Sequence, residues 1–255
     1  MENPIFLSKR TGEPFVYYHT HSVKTDNLQE AIESKKSIEL DIAIDKKGVF
    51  YKKGSCYIGH PVSFYTEAKE EEFHNNLELE EVITRLENNK DIFVMFDCKS
   101  VEAIPKIETF VSRLGKDRCL FHAYATEWGI DSKDDKFKYQ SYWSEEDMLL
   151  SEILDFKKRT NVPIIVAARA LTEDRLREKD LVNKILVEAK GKDIDCISLY
   201  MQDTILPPLD LARQISKAGF LNWINIDKIE GVDLTGITYI GMTDVLNKAS
   251  DYIKN

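Results

Sequence analysis

In the stretch SIELDIAID, residues 37–45, Ser37–Ile44 reads as a β-strand with two carboxylates on one face. Side chains at i and i+2 share a face of a strand, so Glu39 and Asp41 point the same way, flanked by Ile38, Leu40 and Ile42. Outward from this run, further apolar β-rich segments recur at Phe15–His19, Asp91–Asp97, Cys119–Ala125, Pro163–Ala168, Asp195–Tyr200, Phe220–Ile226 and Gly236–Met242. Several are continuously hydrophobic (IFVMF, PIIVAA, CISLY), as parallel strands covered on both faces are. Between them lie amphipathic stretches that predict helices over Asp26–Ser34, Leu77–Glu87, Val101–Leu114, Ser144–Lys158, Glu173–Ala189, Leu209–Ala218 and Val245–Ile253. Eight strands alternating with helices in 255 residues predict a (β/α)8 TIM barrel, an α/β fold, as one domain over residues 1–255. The rival is a doubly wound open sheet, but no Gly-rich loop follows the first strand, so the dinucleotide fingerprint is missing. A short strand over Gly48–Lys52 is expected to return as a hairpin, with Lys46, Lys47 and Gly48 as its turn.

The chain is 43% apolar and 31% charged, which excludes wholesale disorder and collagen-like repeats. A net charge of −9 argues against a nucleic-acid partner. An anionic substrate would then need a local metal or a cationic pocket. No apolar run approaches the ~18 residues of a membrane span, and the first residues lack the apolar core of a signal peptide. The four cysteines form no CxxC pair, so reduced thiols in a cytoplasmic protein are expected.

In a barrel of this type the chemistry sits at the C-terminal ends of the strands. Those ends carry His19, the Glu39-x-Asp41 pair, Asp97 and Lys99, His122, Arg169 and Trp223, and His60 follows the second strand. Two carboxylates in an apolar strand cannot both remain charged and unpaired. A hard divalent cation, Mg2+ or Ca2+, would resolve that cost, with Asp97 on the neighbouring strand as a third oxygen ligand. A salt-bridged cluster at the barrel rim is the plain alternative. His19 and His60 are the acid–base candidates, because imidazole titrates near neutrality. Lys99 could meet a phosphate or substrate oxyanion, or pair with Asp97 or Glu39. Arg169 is a second candidate cation, and Trp223 either stacks on substrate or packs in the core.

The order His, Glu-x-Asp, His, Asp-x-Lys resembles the PLC-like phosphodiesterase superfamily, which includes glycerophosphodiester phosphodiesterases and sphingomyelinase D-like phospholipases. His19 stands 20 residues before Glu39. The segment KTDNLQEAIESKKSIELDIAIDKKGVFY is similar to that superfamily's first helix, second strand and hairpin. His60 in GHP matches the second histidine, FDCK at 96–99 is similar to the sphingomyelinase D branch, and GITYIGMTDVLNKASDYI resembles the closing strand and helix. YYHTHSV and His60-Pro61 also resemble the menorin family. The resemblance implies one Mg2+ or Ca2+ held by Glu39, Asp41 and Asp97. It implies His19 and His60 as acid and base, or as nucleophile and acid, and Lys99 on the phosphate of a glycerophosphodiester or phospholipid-like substrate. Thr20 stands where many glycerophosphodiesterases have Arg, and Asp97 where they usually have Glu.

Two other readings use the same residues. His19-Thr20-His21 with His122 and Asp244 could serve a metal barrel of the amidohydrolase or PHP type. A menorin-like barrel could bind a ligand or partner without catalysis.

Overall fold

The computed structural model describes residues 15–20, 25–35, 37–49, 51–59, 77–128, 147–170, 177, 180–201, 209–226 and 231–243. In chain order the strands and helices are β1 (Phe15–Thr20), α1 (Thr25–Glu33), β2 (Ile38–Ile44), β3 (Cys56–Ile58), α2 (Leu79–Glu87), β4 (Val94–Cys98), α3 (Ile104–Leu114) and β5 (Cys119–Ala125). There follow β6 (Asp147–Met148), α4 (Leu150–Thr160), β7 (Ile164–Ala170), α5 (Leu181–Ala189), β8 (Cys196–Met201), α6 (Leu209–Lys217), β9 (Leu221–Ile226) and β10 (Tyr239–Thr243).

Eight of these strands pair in parallel around a closed ring, β1–β2–β4–β5–β7–β8–β9–β10 and back to β1. The chain therefore folds as a (β/α) barrel. Strand periodicity divides the side chains between two layers. Leu40, Phe96, Phe121 and Val166 face outward into a large core with the helices. Met95, Leu120, Ile165, Cys196 and Trp223 form a separate cluster on the inner face. The helices present apolar residues at helical spacing. In α2 these are Leu79, Val82, Ile83 and Leu86, and in α3 they are Ile104, Ile107, Phe110, Val111 and Leu114. Pro105 lies in the first turn of α3, where its missing N–H is no loss.

The hairpin after β2 corrects one expectation. The return strand is Cys56–Ile58, antiparallel to β2, and not Gly48–Lys52. The cause is Asp45, which is fully buried. Its Oδ1 accepts the N–H groups of Lys47 (3.1 Å), Gly48 (2.6 Å) and Val49 (3.0 Å), and its Oδ2 that of Tyr51 (2.8 Å). Those amides are thereby withdrawn from any ladder, and the chain curls until Ser55, whose carbonyl accepts the Asp45 N–H. Asp45→Ala should orphan these donors and lower stability by about 2–3 kcal/mol, measured by urea unfolding. A change under about 0.5 kcal/mol would mean that water replaces the carboxylate.

Two helix starts also differ. α4 begins at Leu150, two residues after β6 has paired with β5, because Glu127 and Glu152 accept the N–H groups of Leu150 and Leu149 at that point. The helix expected over Glu173–Ala189 is interrupted at Asp180, whose φ of 47° is incompatible with an unbroken α-helix, and α5 starts at Leu181. The helix expected at Val245–Ile253 lies outside the described residues. Among those residues, no helix is long and apolar enough to cross a membrane.

A candidate metal centre inside the barrel

Three adjacent strands bring the acidic residues together. In register, Asp41 of β2 sits beside Asp97 of β4, and Asp97 beside His122 of β5. Glu39 lies two residues before Asp41, on the same face. All four side chains are almost wholly buried, at 0–3% exposure, as is Lys99 at 2%. Lys99 follows β4 directly, and its backbone N–H donates to the Ile42 carbonyl at 2.8 Å.

Asp97 is the hub. Its Oδ2 accepts from Lys99 Nζ at 2.7 Å, and its Oδ1 lies 2.9 Å from His122 Nδ1. Burial pushes the Asp97 carboxyl up, but the positive charges of His122, when protonated, and of Lys99 outweigh it and hold the group well below the usual carboxylate range. Lys99 Nζ also stands 3.7 Å from Asp41 Oδ1 and 5.4 Å from the centre of the Tyr124 ring.

Glu39, Asp97 and His122 each bring one ligand atom into a group whose members lie within 4.8 Å of one another. Two carboxylates and an imidazole at this spacing fit a divalent cation.

The residues singled out in the sequence fall in different places. Glu39 and Asp97 converge. Asp41 stands outside that group, on the side of Asp97 that Lys99 occupies. Trp223 is 1% exposed and packs in the inner apolar cluster, its ring centre 6.4 Å from that of His122. His19 pairs in register with Glu39 and with Thr243, and Arg169 with Tyr200, but the description of both residues ends at the backbone. His60, His21 and Asp244 lie outside the described residues. The chain reaches Asp41 one residue short of His60, where the Gly59 N–H donates to the Asp41 carbonyl at 2.9 Å. His122, a strand-end residue to which the sequence gives a ligand role only in the rival amidohydrolase-type barrel, stands in the cluster.

No family model and no curated protein matches the chain. Solved structures do. Phosphonopyruvate hydrolase in complex with oxalate and Mg2+ is 10% identical, with a TM-score of 0.51 over 95% of this chain and 81% of that one. A glycerophosphodiester phosphodiesterase from Agrobacterium tumefaciens str. C58 is 11% identical over 90% and 96% of the two chains, with a TM-score of 0.49. An HpcH/HpaI aldolase from Desulfitobacterium hafniense DCB-2 is 10% identical over 94% and 90%, with a TM-score of 0.48. At 10% identity the likeness to the phosphonopyruvate hydrolase speaks for the barrel fold alone.

Proposed function

We propose that this barrel is a divalent-cation-dependent phosphodiesterase acting on a glycerophosphodiester or phospholipid-like phosphodiester. The observation that carries the reading is the buried cluster of Glu39, Asp41, Asp97, Lys99 and His122 on three neighbouring strands. Three carboxylates in a barrel interior are costly unless cations meet them. Among the described residues Lys99 is one such cation, and Glu39, Asp97 and His122 offer ligands for a metal ion. The resemblance of the His19, Glu39-x-Asp41, His60 and Asp97-x-Lys99 pattern to PLC-like phosphodiesterases supplies the reaction class.

When bound, the cation would draw charge from the phosphoryl oxygens. Lys99 holds its ammonium on Asp97, where it can also meet a phosphate oxygen. Its position between Asp97 and Asp41 orients it before substrate arrives. His19, in register with Glu39 on β1, and His60, just beyond Gly59, take the proton-transfer roles on the attacking and leaving oxygens. Arg169 adds a second cation near the end of β7. Trp223 backs His122 from the apolar side. With an overall charge of −9, the field that draws an anionic substrate has to be local, and this cluster is where it would arise.

The test is phosphorus NMR on a panel of phosphodiesters with Mg2+, with Ca2+ and with EDTA. Cleavage of at least one diester is expected with a cation, and its loss with EDTA. Metal-independent cleavage, or none across the panel with any cation, would end the reading.

A further inference from the structure

We propose that His122 is itself a ligand of the bound cation, beside Glu39 and Asp97, and that this imidazole makes the site prefer a Zn2+- or Co2+-type ion over Mg2+ and Ca2+. The inference rests on the metal-site reading above and goes beyond it in the class of ion.

Asp97 divides the cluster. Its Oδ2 is engaged by Lys99, whose Nζ also faces Asp41 at 3.7 Å. A divalent ion on that side would sit against an ammonium. The other oxygen, Oδ1, faces His122, and the ligand atoms of Glu39, Asp97 and His122 lie within 4.8 Å of one another. The cation is therefore expected on the imidazole side, away from the ammonium.

His122 is placed as a ligand would be. It is 3% exposed, and Nε2 has no hydrogen-bond partner among the described residues. Nδ1 is 2.9 Å from Asp97 Oδ1. The ring is held by Tyr124, edge-on at 5.2 Å between centroids, and by Trp223 at 6.4 Å. A buried imidazole whose Nε2 has no hydrogen-bond partner among the described residues is costly unless it binds something. Carboxylates alone suit Mg2+ and Ca2+, whereas an added imidazole favours the later first-row ions.

The experiment titrates the metal-stripped full chain with Co2+ and, separately, with Mg2+ by calorimetry, in wild type and His122→Gln. It also locates Co2+ by anomalous diffraction in wild-type crystals, which needs no variant. Wild type should bind Co2+ at least about tenfold more tightly than Mg2+. His122→Gln should lose about 10–100-fold in Co2+ affinity and change little towards Mg2+. The anomalous peak should lie about 2.0–2.4 Å from a His122 ring nitrogen. A Co2+ ion bound by carboxylates with both His122 nitrogens more than about 3.5 Å away, beyond any first-shell bond, overturns the proposal. So does unchanged Co2+ affinity in a folded His122→Gln. Mg2+ binding without any preference for Co2+ overturns the inference and leaves the phosphodiesterase reading standing. If neither ion binds wild type, the metal site itself fails.

Discussion

Lys99→Met is expected to lower the stability of the metal-free protein by about 3–5 kcal/mol, the cost of breaking a buried charge pair by removing one partner. Methionine keeps much of the length of the stem, so the loss is mainly electrical. Glu39, Asp41 and Asp97, each at most 2% exposed, would remain in the barrel without the ammonium that now sits 2.7 Å from Asp97 and 3.7 Å from Asp41. A divalent cation at 100 times its dissociation constant should then return about 2.7 kcal/mol, more than half of a mid-range loss. Cation affinity should hold or rise slightly, because a like charge has gone from beside the site. Cleavage of the phosphodiester should fall at least about 100-fold, the usual cost of removing a group that stabilises developing negative charge. Urea unfolding with and without cation, together with the phosphorus NMR assay, reads all three effects. If Lys99→Met cleaves normally while its cation affinity drops, Lys99 belongs to the scaffold and phosphate recognition comes from elsewhere.

Arg118→Met should cost about 3–5 kcal/mol with cation affinity and activity per folded molecule unchanged. Arg118 is 7% exposed and its guanidinium spans four backbone carbonyls. Nη2 donates to Leu86 (2.9 Å), Asn89 (2.7 Å) and Ile92 (3.0 Å), Nε to Ile92 (3.1 Å), and Nη1 to Leu114 (3.4 Å). These carbonyls close α2, the connection into β4, and the C-terminal end of α3. The Arg thus ties two helix ends to the start of two barrel strands, where the helix dipoles favour a cation. Each buried acceptor left without a donor costs about 1–3 kcal/mol, reduced where water enters. Arg118→Lys should recover part of the loss, since an ammonium cannot reach all four oxygens from one point. Because Arg118 precedes β5 at the N-terminal end of the barrel, the metal cluster is not in its reach. A fall in urea midpoint at constant m value would show the effect. A loss below about 1 kcal/mol would mean that water serves these carbonyls as well as the guanidinium does.

The two variants separate the ends of the barrel. Stability that cation restores belongs to the acidic cluster. Stability that cation leaves unrestored, with the site intact, belongs to the clamp beneath it. Asp45→Ala, which loosens the loop after β2, should resemble the second class unless that loop also positions His60.

Local periodicity was enough to reveal the barrel strands. Runs such as Pro163–Ala168 and Cys119–Ala125 are apolar on both faces, and a strand keeps that signature wherever it pairs. Period two likewise put Glu39 and Asp41 on one face, and Asp97 two residues before Lys99, because strand geometry acts within a few residues. The return strand of the first hairpin was misread for the opposite reason. A buried carboxylate at Asp45 captured four amides, a preference that alternation does not register. Register between strands 25 residues or more apart has no local cause. That Asp97 lies beside His122, and that Arg118 answers carbonyls at residues 86, 89, 92 and 114, follows from how the closed sheet staggers its strands and stacks its helices. The sequence alone determined which carboxylates share a strand face. Only the tertiary structure decided which of them faces the ammonium and which the imidazole, because that choice is made by packing across strands and not along them.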